Sequence, residues 1–320
     1  MKKSFLIQLA ISLALLAALL YFADVGEVIR IISRSNVALL AVSFFFYFCI
    51  NVAMAYRIKR ILGYFKIKLA FSKILLSHFA GMLASDFTPA RSGYFTTAFV
   101  LSANNKIPLE RAMVSILGPQ LFDFLLKVVA GGIAIWYLFT FKFAGDSNMV
   151  AGVVLGLLAL FGMIILILLL LFSQRFAKLL SFLNGLPYGA KVHKLITDMQ
   201  ENSHAIKALV PFLISILAVT WSFKALEWWF VGMSLGFHIS VPFPEVVFYA
   251  FFQPVVTLLQ FIPTPTLAGI GVAEAGAALV LMQFGITLPE AVAYTLLTRF
   301  VMIVTDSLGI GEGVKALKIG

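Results

Sequence analysis

Charge is what this 320-residue sequence has least of: 12% of its residues are Asp, Glu, Lys or Arg, against roughly 25% in a soluble domain. A water-soluble globular enzyme is thereby excluded. Cysteine occurs once, at Cys49, so an intrachain disulfide and a CxxC metal or redox site are excluded as well. The four histidines, His78, His193, His204 and His238, form neither HExxH nor a close ligand set, and no metal site is expected. A Walker sequence, a GxSxG elbow and a loop with paired acids are all missing, so ATP hydrolysis by the chain and acyl or glycosyl transfer lack their groups. No catalytic residue and no cofactor are expected.

What is present is apolar. Hydrophobic residues make up 62%, mean hydropathy is +1.03, and runs such as 150–172 carry no charge over the ~20 residues a bilayer core demands. The fold class predicted is an all-α polytopic membrane protein, one integral-membrane domain over 1–320. Met1, Lys2 and Lys3 ahead of 5–22 imitate a signal peptide, but the apolar stretch is too long and no cleavage site follows, so an uncleaved first helix is expected. The formal charge of +10 sits in short loops between apolar runs, which makes it a topology signal and not a nucleic-acid surface.

Seventeen of the 24 Lys and Arg fall at Lys2 and Lys3, in 57–73, at Lys106 and Arg111, in 175–207, and at Lys315 and Lys318. Arg30, Arg34 and Lys142 fall in the loops between. The positive-inside bias makes the first five segments cytoplasmic, with both termini inside, in a multi-pass protein of the cytoplasmic membrane. Two inside loops must be joined by an even number of crossings, yet 74–103 is interrupted by Asp86 to Gly93, leaving arms of about 12 and 10 residues, or roughly 15 to 18 Å. Neither arm crosses ~30 Å of hydrocarbon, so 74–103 is predicted to be a re-entrant hairpin from the cytoplasm. Residues 246–284, broken at Pro263 to Gly271, are predicted to be a second hairpin entering from outside. Six full spans are expected near 5–22, 37–56, 112–141, 149–172, 210–235 and 290–311. Segment 173–208 is either a helix on the inner leaflet or a tight cytoplasmic linker.

The halves 23–172 and 209–320 carry a faint repeat. Residues 109–117 line up with 288–296 at a constant offset of 179, each segment beginning with Leu, an acid and Ala, and Thr88-Pro89 matches Thr264-Pro265. Two broken hairpins facing opposite sides fit inverted repeats, which place a substrate site where the breaks meet.

Ionisable groups inside the membrane cost roughly +2.5 to 3.5 kcal/mol each by insertion scales, so each needs a partner or a wet cavity. Arg91, beside Thr88, Ser92 and Gly93 at the first break, has the chemistry of a phosphate or carboxylate site, or else it pairs with Asp86 or reaches the headgroups. At the second break Gly269 and Gly271 allow close backbone approach to a ligand, and Glu274 is a helix-dipole partner or a protonatable coupling group. Arg299 is either a second anion ligand or the partner of Glu274. Asp123 and Lys127, spaced i, i+4, are expected to neutralise each other, as are Lys224 and Glu227, with a role in coupling as the alternative and Asp123, like Glu274, a candidate carrier of a coupling proton.

These residues resemble the integral-membrane, flippase-like region of lysylphosphatidylglycerol synthases and its stand-alone relatives. The resemblance covers nearly the whole chain and rests on Arg57, Pro89 to Gly93, Asp123, Glu227, Pro263 to Glu274, and Arg299. Departures fall at Tyr94, where the family commonly has Glu, at Pro119-Gln120, where it has an acidic-basic pair, and at Thr266 to Ala268, where it has glycines. With no soluble transferase portion before Gly320, the resemblance implies translocation alone: a flippase-like carrier of an anionic-headgroup phospholipid or lipid phosphate. Its partners would be membrane lipids, and a proton or sodium gradient is the candidate driving force. The alternatives are a secondary transporter of a small soluble anion and a non-transporting membrane partner of a lipid-synthesising enzyme.

Overall fold

A chain this apolar can only satisfy its backbone internally, and among the described residues every regular element is helical. The structure, a computed structural model, describes residues 3–141, 158, 161–162, 164–185, 189–261, 264–267 and 269–319. The side chains of 89–91, Arg91 included, and residues 149–157 of the expected fourth span lie outside that description, as do Pro263 and Ala268.

Helix α1 (Lys3–Phe22) ends just before Asp24, whose carboxylate accepts from the N–H groups of Gly26 and Glu27 at 3.0 and 3.3 Å and caps α2 (Val25–Ser33). The two helices meet at 85°. In α2, Val28 is buried while Val25, Ile29 and Arg30 face outward, the pattern of a helix lying across the end of a span. Charge counting had treated this segment as an outer loop.

The long helices are α3 (Val37–Tyr64), α6 (Leu109–Phe141), α11 (Val210–Ser234) and α14 (Leu288–Asp306), the last continuing through a 3-10 turn into α15 (Ile310–Ile319). Four described helices are long and apolar enough to cross a bilayer, and counting two bent pairs as spans gives up to six. The protein is an all-α polytopic membrane protein. Ile164–Phe172, here α7, turns by 87° into the segment containing α8 (Gln174–Leu179), followed by α9 (Gly189–Asn202) and α10 (His204–Ala208). Segment 173–208 is thus largely helical.

Between α3 and α6 lie α4 (Phe71–Asp86), a 3-10 helix (Pro89–Phe95) and α5 (Thr96–Asn105). Between α11 and α14 lie α12 (Glu245–Phe261), a break, and α13 (Val272–Met282). Each half therefore runs long helix, short helix, break, short helix, long helix. Helices α3 and α11 pack antiparallel: Asn36 N–H donates to Ser234 O at 2.7 Å at one end, and Tyr56 and Phe212 pack edge to face at the other. Helices α6 and α12 do the same, with Gly131 beside Leu258 and Tyr137 against Phe243.

Candidate functional site

Both breaks are closed by their own hydrogen bonds. At the first, Thr88 Oγ1 donates to Ala84 O at 3.0 Å, tying off the end of α4, and accepts from Gly93 N–H at 2.6 Å. Gly93 lies so close to α4 that a Cβ would sit 2.3 Å from Ala84 C and O. Thr88 and Gly93 thus shape the break, while Ser92 is exposed and faces a cavity.

At the second break Gly271 takes φ +87° and packs on α1, where a Cβ would meet Leu15 Cβ at 2.5 Å. Its N–H donates to Glu274 Oε2 at 2.7 Å, so the Glu274 carboxylate caps α13. The other carboxylate oxygen, Oε1, accepts from Arg299 Nε at 2.6 Å and also pairs with Arg299 Nη2. Leu267 N–H is held by the buried Ser12 hydroxyl of α1 at 2.8 Å. Gly269 lies against α12, near Gln260. Arg299 and Glu274 are therefore partners, and the two glycines serve the turn.

Asp123 is bound by a residue that local spacing does not reveal. Arg57 Nη1 and Nη2 donate to its Oδ1 and Oδ2, both at 3.0 Å, and Arg57 is 1% exposed. Arg57 thus joins the neutralisation of Asp123 that helical spacing assigned to Lys127, whose ammonium lies 5.9 Å from the centre of the Phe124 ring. Lys224 and Glu227 do pair, at 2.7 Å, and the Lys224 ammonium lies 4.7 Å from the Tyr47 ring centre and 5.6 Å from that of Trp228. Tyr47 OH donates to buried Asp306 at 2.8 Å.

Two cavities adjoin these groups. The smaller, about 40 Å³, is lined by Asp86 from the end of α4 and by Glu274 and Arg299, so the two breaks share it. It has room for about two or three waters. The larger, about 260 Å³, is lined by Asp123 and Lys127 of α6, Lys224 of α11, Gln253 and Thr257 of α12, and Ser92 and Tyr94 of the first break. Met302 lines both cavities. Of the residues that line the larger one, Lys127 and Lys224 stand against Asp123, which leaves one formal positive charge on its walls. Sequence reading weighed Lys127 and Lys224 as ion-pair or coupling members and missed Gln120, Trp221 and Gln253, since nothing in their own helices marks them as facing a common space.

Among the described residues no group of three or more His, Cys, Asp and Glu could hold a metal ion. Two archaeal proteins align along almost their whole length. The UPF0104 membrane protein PH1989 of Pyrococcus horikoshii is 23% identical over 330 residues, covering 94% of this chain and 93% of its own. The UPF0104 membrane protein MJ1595 of Methanocaldococcus jannaschii is 22% identical over 322 residues, covering 94% and 91%. The profile of the family described as the lysylphosphatidylglycerol synthase TM region matches residues 5–309, and the broken hairpins, Arg57 with Asp123, and Glu274 with Arg299 all fall inside that match. The chain belongs to the lysylphosphatidylglycerol synthase TM region family.

Proposed function

We propose that this protein moves a lipid with an anionic headgroup between the leaflets of the cytoplasmic membrane, both its termini being cytoplasmic. The observation that carries the reading is the 260 Å³ cavity, with ammonium groups from two different helices on its walls. Cations inside an apolar protein are costly unless a wet cavity or an anion meets them, and one net positive charge favours an anionic occupant. The polar side chains of Ser92, Gln120, Gln253 and Thr257 supply hydrogen bonds for a headgroup, while the surrounding spans are apolar. Lipid handling also agrees with the family described above.

In this reading the roles expected from sequence shift. Lys127 and Lys224 face the headgroup. Arg299 and Glu274 hold the second break closed, beside a space too small for a headgroup. Arg91 remains the candidate that receives the phosphate at the cytoplasmic side, and Asp123 and Glu274 remain the candidates for a coupling proton. The chain acts as a carrier and performs no covalent chemistry.

The test is reconstitution of the purified chain with Lys127→Met and Arg91→Ala variants, following exchange of labelled phosphatidylglycerol and uptake of glycerophosphate. Exchange lowered at least about tenfold in a folded Lys127→Met variant supports the cavity. Undiminished exchange in that variant removes Lys127 from the path. Glycerophosphate uptake without lipid exchange assigns the cavity to a soluble anion.

A further inference from the structure

A third space, a cleft of about 150 Å³, opens between the C-terminal half of α6 and the N-terminal half of α12, closed off by α13. Ile133, Tyr137, Phe248, Phe251, Val255 and Phe284 are among its walls, and the Tyr137 hydroxyl is the one polar side-chain group on them. An apolar cavity of this size stays dry and takes a hydrocarbon guest about as large as benzene.

The cleft and the cation-lined cavity share a wall. Trp221 lines the cavity, and its ring sits edge-on to Phe251 of the cleft, centroids 5.8 Å apart. On α12 the adjacent residues Pro254 and Val255 line the cavity and the cleft respectively. On α6, Lys127 and Ile133 are separated by six residues, about 9 Å of helical rise. A charged space and a dry apolar space thus lie side by side at roughly the separation of a lipid's phosphate from the upper part of its chains.

We infer that the cleft seats an acyl chain of the same lipid whose headgroup enters the cavity, so that the cargo is a glycerolipid recognised at both ends. The inference rests on the function proposed above and narrows its substrate class. Because bilayer and cleft are equally apolar, hydrophobic transfer gives the chain no reason to enter. Occupancy follows from shape and from the tether to a bound headgroup, which raises the chain's effective concentration at the cleft.

The experiment uses the full chain in phosphatidylcholine liposomes containing phosphatidylglycerol with a photoactivatable diazirine on one acyl chain, followed by mapping of labelled residues. The cleft residues of α6 and α12 are expected to label, with unlabelled phosphatidylglycerol competing that label away while label on outward-facing Val129 and Trp136 persists. Lys127→Met and Val255→Trp should each cut cleft labelling at least about tenfold, one by removing the tether and one by filling the space. Label spread over the lipid-facing surface with no competable fraction in the cleft overturns the inference. The map on the unaltered chain needs no variant, so misfolding of Val255→Trp leaves it decisive. Exchange measured in the same liposomes separates the two ideas: no exchange with competable cleft label defeats translocation alone, and exchange without cleft label defeats the chain seat alone.

Discussion

Arg57 and Asp123 stand 66 residues apart and exchange two hydrogen bonds of 3.0 Å in the interior. Removing one partner of a buried pair strands a charge, so Asp123→Ala should lower stability by about 3–5 kcal/mol, read as the unfolding midpoint in detergent. Replacing both, as Arg57→Met with Asp123→Leu, should recover most of that loss. If the double variant is as unstable as the single, the pair is not the source of the effect. Gly271 offers a second test at this scale: Gly271→Ala adds a Cβ 2.5 Å from Leu15 in a left-handed turn and should cost about 1–3 kcal/mol in the same measurement. The residue types were legible in sequence, since intramembrane Asp123, Glu274 and Arg299 are few and expensive. Partners were legible within a turn, as for Lys224 and Glu227, and as one of two readings for Arg299 with Glu274, where few intramembrane charges leave few ways to match them. Arg57 stood out through family resemblance alone, because contacts between α3 and α6 leave no periodic mark on either helix.

Pro254 sits inside α12 and has no N–H, so the carbonyl of Ala250 loses its helical donor. Trp221 Nε1–H of α11 takes its place at 2.8 Å, a repair of the kind neighbouring helices make inside membranes. Trp221→Phe should therefore cost about 1–3 kcal/mol by leaving that carbonyl unsatisfied. In a Pro254→Ala background the helix supplies its own donor, and the same change should cost about 0.5 kcal/mol or less. Equal costs in both backgrounds would show that the indole N–H matters for another reason. At this scale the sequence was informative: breaks at Thr88-Pro89 and Pro263 to Gly271, and long apolar runs between them, follow from proline, glycine and charge spacing. Helix α2 escaped because nine residues are too few for a span, although Val25, Val28, Ile29 and Ile32 carry an i, i+3, i+4, i+7 stripe.

In the whole molecule the two halves repeat one order of helices and meet where Asp86 of one break shares a cavity with Glu274 and Arg299 of the other. The charge asymmetry implies a testable orientation. In a Cys49→Ser background, Lys66→Cys, Lys106→Cys and Lys315→Cys should react with an impermeant maleimide only from the cytoplasmic side, and Ser35→Cys and Ser240→Cys only from the other. Reaction of Lys106→Cys from outside would invert the first hairpin. The apolar spans can be read from sequence because hydropathy is a local property, and loop charge supplies the orientation that this labelling tests. The cavities cannot, because Lys127, Lys224 and Gln253 come together only when α6, α11 and α12 pack. The central claim is tested most directly by leaflet exchange in liposomes holding the purified chain, comparing labelled anionic and zwitterionic phospholipids with and without a pH gradient. The account predicts protein-dependent exchange that favours the anionic lipid. Exchange no faster than in protein-free liposomes under every gradient, or equal for both lipids, would contradict it.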